Sequence, residues 1–437
     1  MGWYLRFAVA VFVAVLALAD GTSAQFLEDR SSNEGPGFKT GRFVLHPGLA
    51  IEGGYDDNVF LQDNGREDSF ILRLTGYLDF ATMSPQRMRD GESNDPEPQK
   101  ITFRGGLGVR YLHYFNDRNR NNVGGDAHFD FAYNPSKVFS LEVGDRFLRT
   151  VQPFSNPDTA EGDTTSFGQN INNARIDFVG RSRSQVLEGR LGYGNQFQFF
   201  DSELYQYADS VTHRVPGQLA WRFFPTSAIL WNVEYAHQHF RNPELIALSP
   251  TLLNDSNRVR SEIGYNGALT DRLSLTAMIG YAAGFYDVLE DFDDVIARVE
   301  ARWAARPTIT IAGGYTRDVV PSFIGNFTEL HRLHFNAEFI AAGALTVAFR
   351  SWVSFDKSGL ALQPDGSFLG NQPRRKDIRT RVGVWGEYRF RSWISVFAEV
   401  FYLADFTDFV YLGIEPLVDP PGQYQKIQAW LGIRVFY

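Results

Sequence analysis

Arginine and carboxylate recur at every second residue through much of this chain. In Asp294–Ala304, DVIARVEARWA, the residues Arg298, Glu300 and Arg302 fall on one side of an extended backbone, and Val295, Ala297, Val299, Ala301 and Trp303 fall on the other. A row of this kind can pair charges or hold anions, because the planar guanidinium fork grips carboxylates bidentately. It offers little for bond-breaking chemistry. There is no cysteine, which removes thiol catalysis, disulfides and Cys-ligated metals together. The eight His are scattered. His237 and His239 share a strand face, as do His331 and Phe335, but no third ligand accompanies either pair. No local Ser–His motif stands out. The expectation is a chain that is not an enzyme and carries no cofactor or metal. A net charge of −9 without any basic block argues against a nucleic-acid partner.

The elements that must position these charges are strands. Period-two alternation recurs in about eighteen runs. They lie near 43–56, 68–80, 101–114, 122–134, 137–150, 167–180, 184–200, 211–224, 227–240, 256–269, 272–286, 292–305, 308–318, 327–340, 344–356, 376–390, 392–406 and 423–437. Short turns such as FPTS, TDR, ARPT, AAG and RSW alternate with long polar loops such as Gln152–Ser166, Asn242–Asp255 and Lys357–Arg375. Short turns at one rim and long loops at the other are the plan of an all-β, transmembrane antiparallel up-and-down β-barrel. The connection Ala81–Lys100 is long where a short turn is expected, which leaves sixteen and twenty strands open beside eighteen. An open sheet is excluded in lipid, where unpaired edges go unsatisfied. A propeller or solenoid needs a repeated motif, and only the pattern repeats. Tyr111, Tyr133, Trp221, Trp303, Phe339 and Phe390 are among the candidates for aromatic girdles at the two interfaces.

If the apolar positions face lipid, the others line a lumen. Its candidates are Arg258, Arg260, Arg298, Arg302, Arg350, Arg379, Arg381 and Arg434, with Glu300, Glu387 and Glu399, and the aromatics Trp352, Trp385, Trp393, Phe397 and Trp430. The plainer reading is a wall stiffened by cross-strand ion pairs. The sharper one is a surplus of fixed guanidinium guiding an anionic solute such as an acidic polysaccharide. The aromatics could carry sugar rings, or pack against the interior.

The N-terminus reads as a secretory signal: Arg6, then the apolar run Phe7–Ala19, then Thr22-Ser23-Ala24. That run is too short for a spanning helix, which needs roughly 20 residues. The expected organisation is a cleaved signal at 1–24, a periplasmic N-terminal segment at 25–42 and a barrel domain at 43–437. The last run, KIQAWLGIRVFY, places Leu431, Ile433, Val435 and Tyr437 on the lipid-facing side. It resembles the terminal signal read by the barrel assembly machinery of Gram-negative bacteria.

The stretch Leu45–Phe80, LHPGLAIEGGYDDNVFLQDNGREDSFILRLTGYLDF, resembles a known family through Pro47, Gly53-Gly54-Tyr55, YDDNVF and SFILRL. That family is the outer-membrane β-barrel porins associated with exopolysaccharide export clusters. The resemblance implies an outer-membrane channel taking part in export or translocation of an exopolysaccharide, with a periplasmic export protein as partner and outer-membrane lipid as surroundings. A porin for small solutes and a closed structural or assembly barrel are the alternatives. Asp56-Asp57-Asn58 reads as a solvated turn, with cation binding as the alternative.

Overall fold

The structure is a computed structural model. It describes residues 37–59, 61, 63, 65–82, 99–116, 121–150, 168–201, 206, 209–241, 255–287, 290–322, 326–359, 374–407 and 423–437. The signal at 1–24 lies outside them, as does most of the 25–42 segment.

The described residues form nineteen strands: β1 (Phe38–Thr40), β2 (Phe43–Asp56), β3 (Ser69–Thr82), β4 (Ile101–Tyr114), β5 (Asn122–Ser136), β6 (Phe139–Thr150), β7 (Gln169–Arg181), β8 (Leu187–Phe200), β9 (Ser210–Phe224), β10 (Ser227–Phe240), β11 (Ser256–Thr270), β12 (Leu273–Tyr286), β13 (Phe292–Arg306), β14 (Ile309–Pro321), β15 (Phe327–Ala341), β16 (Leu345–Ser358), β17 (Lys376–Arg391), β18 (Ile394–Thr407) and β19 (Tyr424–Phe436). Strands β2 to β19 each pair antiparallel with their sequence neighbours, and β19 returns to pair with β2 from Gln428↔Asp56 to Phe436↔Gly48. The wall is therefore a closed ring of eighteen strands. Because β3 and β4 pair directly, nothing intervenes between them in the wall, whatever the course of 83–98. The alternatives of sixteen and twenty strands fall on this point.

Closure of this many strands spaced about 4.8 Å apart and tilted about 40° gives a backbone cylinder of radius about 18 Å. A ring of that size leaves room beyond what wall side chains fill. Wall strands run from 12 residues in β6 to 16 in β17, longer than the roughly 9–11 that cross a bilayer. Two residues separate β9 from β10, β11 from β12, β13 from β14 and β17 from β18, all at one rim. At the same rim the β15–β16 turn uses positive φ at Ala342 and Gly343.

The packing is inside out by the standard of a soluble protein. Leu191, Leu219, Ile263, Ile279 and Ile433 are each more than half exposed on the outer face. Inward residues such as Ile296 and Phe397 are 1% exposed. Soluble monomers rarely expose contiguous apolar patches beyond a few hundred Å². A belt of this kind running round the whole ring is stable only against hydrocarbon. On β12, Tyr281 stands eight residues above Leu273, the partner of the outward Trp303. At about 3.4 Å per residue and the tilt above, the aromatics bracket about 20 Å, close to the apolar band of known barrels.

The short strand β1 extends the sheet beyond the ring. It doubles back on β2 through Gly41, which sits at φ +61°, and its Phe38 ring stacks on Tyr437 at 4.1 Å. Three residues inside the 25–42 segment are thus part of the sheet, at the foot of the β2–β19 seam.

Candidate functional site: the charged inner wall

Alternation along each strand decides what faces the bore. On β13 every second residue, offset by one from the exposed Val295, Val299 and Trp303, points inward, and these include Arg298, Glu300 and Arg302. The same register turns Arg258 and Arg260 of β11, Arg350 and Trp352 of β16, Arg379, Arg381, Trp385 and Glu387 of β17, Phe397 and Glu399 of β18, and Trp430 and Arg434 of β19 to the inner face. Trp393 differs. It occupies the two-residue turn between β17 and β18 and is 46% exposed, off the wall altogether. Leu431, Ile433, Val435 and Tyr437 lie on the outer face, each 44–51% exposed.

One side of the wall, from β16 round to β3, is a packed pad of guanidinium, carboxylate and aromatic ring. Arg73 binds Glu52, which also lies 3.9 Å from Arg434; Arg434 in turn reaches Glu387 at 3.4 Å. The Arg73 guanidinium sits 4.0 Å over Trp430, Arg434 sits 3.9 Å over Phe397, and Arg381 sits 4.4 Å over Phe401. Arg332 covers Trp352 at 5.0 Å. Each desolvated stack of this kind contributes about 1–2 kcal/mol. Trp430 and Phe397 are 5% and 1% exposed, so neither offers a free face to a sugar. Two glycines make the pad possible. A Cβ on Gly54 would stand 2.4 Å from the Trp430 ring, and one on Gly432 would stand 2.6 Å from Phe397.

Asp56-Asp57-Asn58 is not a solvated turn. Asp56 and Asn58 are fully buried. Asp56 takes an ion pair from Lys426 at 2.7 Å and a hydrogen bond from Gln428. Asn58 donates to the Gln425 carbonyl at 3.0 Å, and the Ile427 amide donates to Asp57 at 2.6 Å. The cluster fastens the loop-rim end of the β2–β19 seam. Burial pushes the Asp57 carboxyl above its ordinary value, opposed by that Ile427 amide.

Two partners escaped the sequence reading. These are Arg375, just before β17 and buried against Asp377 at 2.8 Å, and Asp356, which holds the expected Arg379. Arg375 closes the stretch Lys357–Arg375, which reads as a polar loop by composition. The histidines stay apart. His237 bonds Asn257, His239 bonds Asp255, and His331 bonds Tyr315. Among the described residues no three His, Asp or Glu side chains are grouped to hold a metal.

Opposite the pad, from β4 to β13, the wall is looser. A recess of about 240 Å³ opens there, lined by Arg190, Gln218, Asn232, Glu234, Arg260 and Glu262 among others. Arg258, Arg298, Arg302 and Arg350 make no ion pair among the described residues, whereas Arg260 is paired with Glu262 and Asp318.

A closed even-stranded ring, apolar outside and charged within, with short turns at one rim, defines a β-barrel of the outer-membrane type. No family model matches the chain, and no curated protein matches it in sequence. Among solved structures it is similar to the outer membrane protein opdK of Pseudomonas aeruginosa, with TM-score 0.47 and 11% identity over 90% of this chain and 99% of that one. It is also similar to OccAB4 of Acinetobacter baumannii, with TM-score 0.46 and 11% identity over 93% and 100%. The siderophore receptor PirA of P. aeruginosa aligns with TM-score 0.43 and 9% identity over 90% and 80%.

Proposed function

We propose that the protein is an outer-membrane channel that takes part in moving an exopolysaccharide out of a Gram-negative cell. The observation that carries the channel reading is the inner wall itself. A ring of eighteen strands is wider than its own side chains fill, and its inner face carries rows of charged residues beside two small hydrophobic clusters. A purely structural barrel gains nothing from arginines that lack carboxylate partners among the described residues. The polysaccharide is supported by the residues at Leu45–Phe80 and by the anionic chemistry that unpaired guanidinium selects. The porin reading shares the channel and differs in cargo.

Two measurements separate these outcomes. Purified protein in planar bilayers should give discrete, ohmic conductance favouring anions; a silent barrel contradicts the channel. Deleting the gene should strip polysaccharide from the cell surface and retain it in the periplasm. Normal surface polysaccharide in the deletion strain leaves the small-solute porin standing and removes export.

A further inference from the structure

Cross-strand register lines up arginines in a way no single strand reveals. Arg104 of β4 pairs with Asp130, Asp130 with Gly144, and Gly144 with Arg175 of β7. Arg175 pairs with Gly194, Gly194 with Arg214 of β9, Arg214 with Ala236, and Ala236 with Arg258 of β11. All are inward positions on one continuous hydrogen-bonded row. Between the last three arginines every intervening residue is Gly or Ala, so the row is a set of guanidiniums with cleared floor between them. Gly144, next to Arg175 in the row, is covered by it: a Cβ there would meet the Arg175 Nε at 2.8 Å, whereas a Cβ on Gly194 would make only ordinary contact, 3.7 Å from the Arg214 Cβ.

The row also climbs. Arg104 lies three residues from the short-turn end of β4, Arg175 is midway along β7, and Arg258 lies two residues from the loop end of β11. Rows run perpendicular to strands, and strands tilt by about 40°, so seven strand steps rise about 20 Å, most of a bilayer core. Arg175, Arg214 and Arg258 follow one another at two-strand intervals, about 9.5 Å. An extended pyranose chain advances a comparable distance per disaccharide.

The neighbouring rows decide what the arginines are free to bind. On the short-turn side, Glu142 and Asp177 are already engaged by Arg190 at 2.9 and 3.6 Å. On the loop side run Asn173, Gln196, Thr212 and Gln238, all neutral; Gln196 accepts a hydrogen bond from Arg214 and Thr212 is buried, so this row places no competing charge beside the guanidiniums. Among the described residues Arg104 and Arg258 make no ion pair, and the Arg258 Nε finds no hydrogen-bond partner. Arg175 does hold Asp130 at 2.7 Å, but both side chains are more than half exposed. A pair so exposed is weak in water and exchanges readily for another carboxylate.

We infer that Arg175, Arg214 and Arg258 form a binding track, reached from the short-turn mouth of the bore past Arg104, and that its ligand is an extended acidic polysaccharide carrying a carboxylate on alternate sugars. The inference rests on the channel reading for the direction of travel; the ligand chemistry comes from the row itself.

The test is equilibrium binding to the folded full-length protein in detergent, followed by fluorescence anisotropy of a labelled oligogalacturonate, with a neutral malto-oligosaccharide of equal length as the comparison. This needs neither an open bore nor export activity. Acidic oligomer should bind and neutral oligomer should not. Arg175→Glu and Arg214→Glu should each weaken binding at least tenfold, while Arg183→Glu, which changes net charge equally in a turn off the wall, should leave it unchanged. Heat-modifiable migration on gels certifies that each variant is folded. Equal binding of both oligomers, equal loss in all three variants, or no binding at all overturns the track. Failure of the gene deletion to affect polysaccharide, with tight and arginine-dependent binding retained, would overturn export and leave the track.

Discussion

Lys426 Nζ lies 2.7 Å from the Asp56 carboxylate, joining the last strand of the ring to the first at their loop-rim end. Their side chains are 7% and 1% exposed. Desolvating two charges is costly, and the attraction between them repays it only while both are present. Asp56→Ala or Lys426→Ala should therefore destabilise the barrel by about 3–5 kcal/mol, read as a lowered urea midpoint of the refolded protein. The double variant Asp56→Leu with Lys426→Met should recover most of the loss. A double variant as unstable as the two singles combined would show that the pair is not what holds the seam.

The pad beside that seam depends on absent atoms. Gly54→Ala puts a methyl 2.4 Å from the Trp430 ring, which must move and take the stacked Arg73 with it. Overpacking of this order costs about 1–3 kcal/mol. The Trp430 emission should shift to the red as its burial is lost. Gly53→Ala is the control, since a Cβ there meets nothing within 4 Å.

Asp57 gives the seam a pH dependence whose sign is fixed. Its carboxyl is raised from the ordinary 3.8, chiefly by burial and also by Asp56, so the folded state holds that proton more tightly than the unfolded chain. The contribution to stability is then fully present below 3.8 and is lost as the pH rises through the raised value. Relative to Asp57→Asn, which does not titrate, the native protein should lose urea resistance over that climb. Parallel pH profiles for the two proteins would contradict the assignment.

Much of the wall was legible in the sequence, and the reason is periodicity. A strand with lipid on one side and charge on the other writes its two faces in alternate residues, so β2, β4 and β10 match their expected spans end for end. β1 was invisible because three residues carry no period. What alternation cannot give is the offset between strands. That offset stacks Arg73 on Trp430, closing a surface that composition alone offers to sugars. It also lines up Arg175, Arg214 and Arg258, which are far apart in the chain. Asp56-Asp57-Asn58 was misread because its residue types favour turns. Its partners, Gln425 to Gln428, lie at the other end of the sequence. Trp393 was misplaced by one step of the turn, where alternation stops applying.

The central claim is that side chains along each strand alternate between hydrocarbon and water around a closed ring. Since the chain lacks cysteine, single Cys substitutions can be spin-labelled without background. Nitroxides placed one at a time along β13 from Val295 to Trp303, in protein reconstituted into lipid vesicles, would be read by their collisions with oxygen and with a polar nickel chelate. Oxygen should dominate at Val295, Ala297, Val299 and Ala301, and the chelate should dominate at Arg298, Glu300 and Arg302, with a period of two from Ala297 onward. A flat profile, or oxygen preference at the arginine positions, would contradict the account.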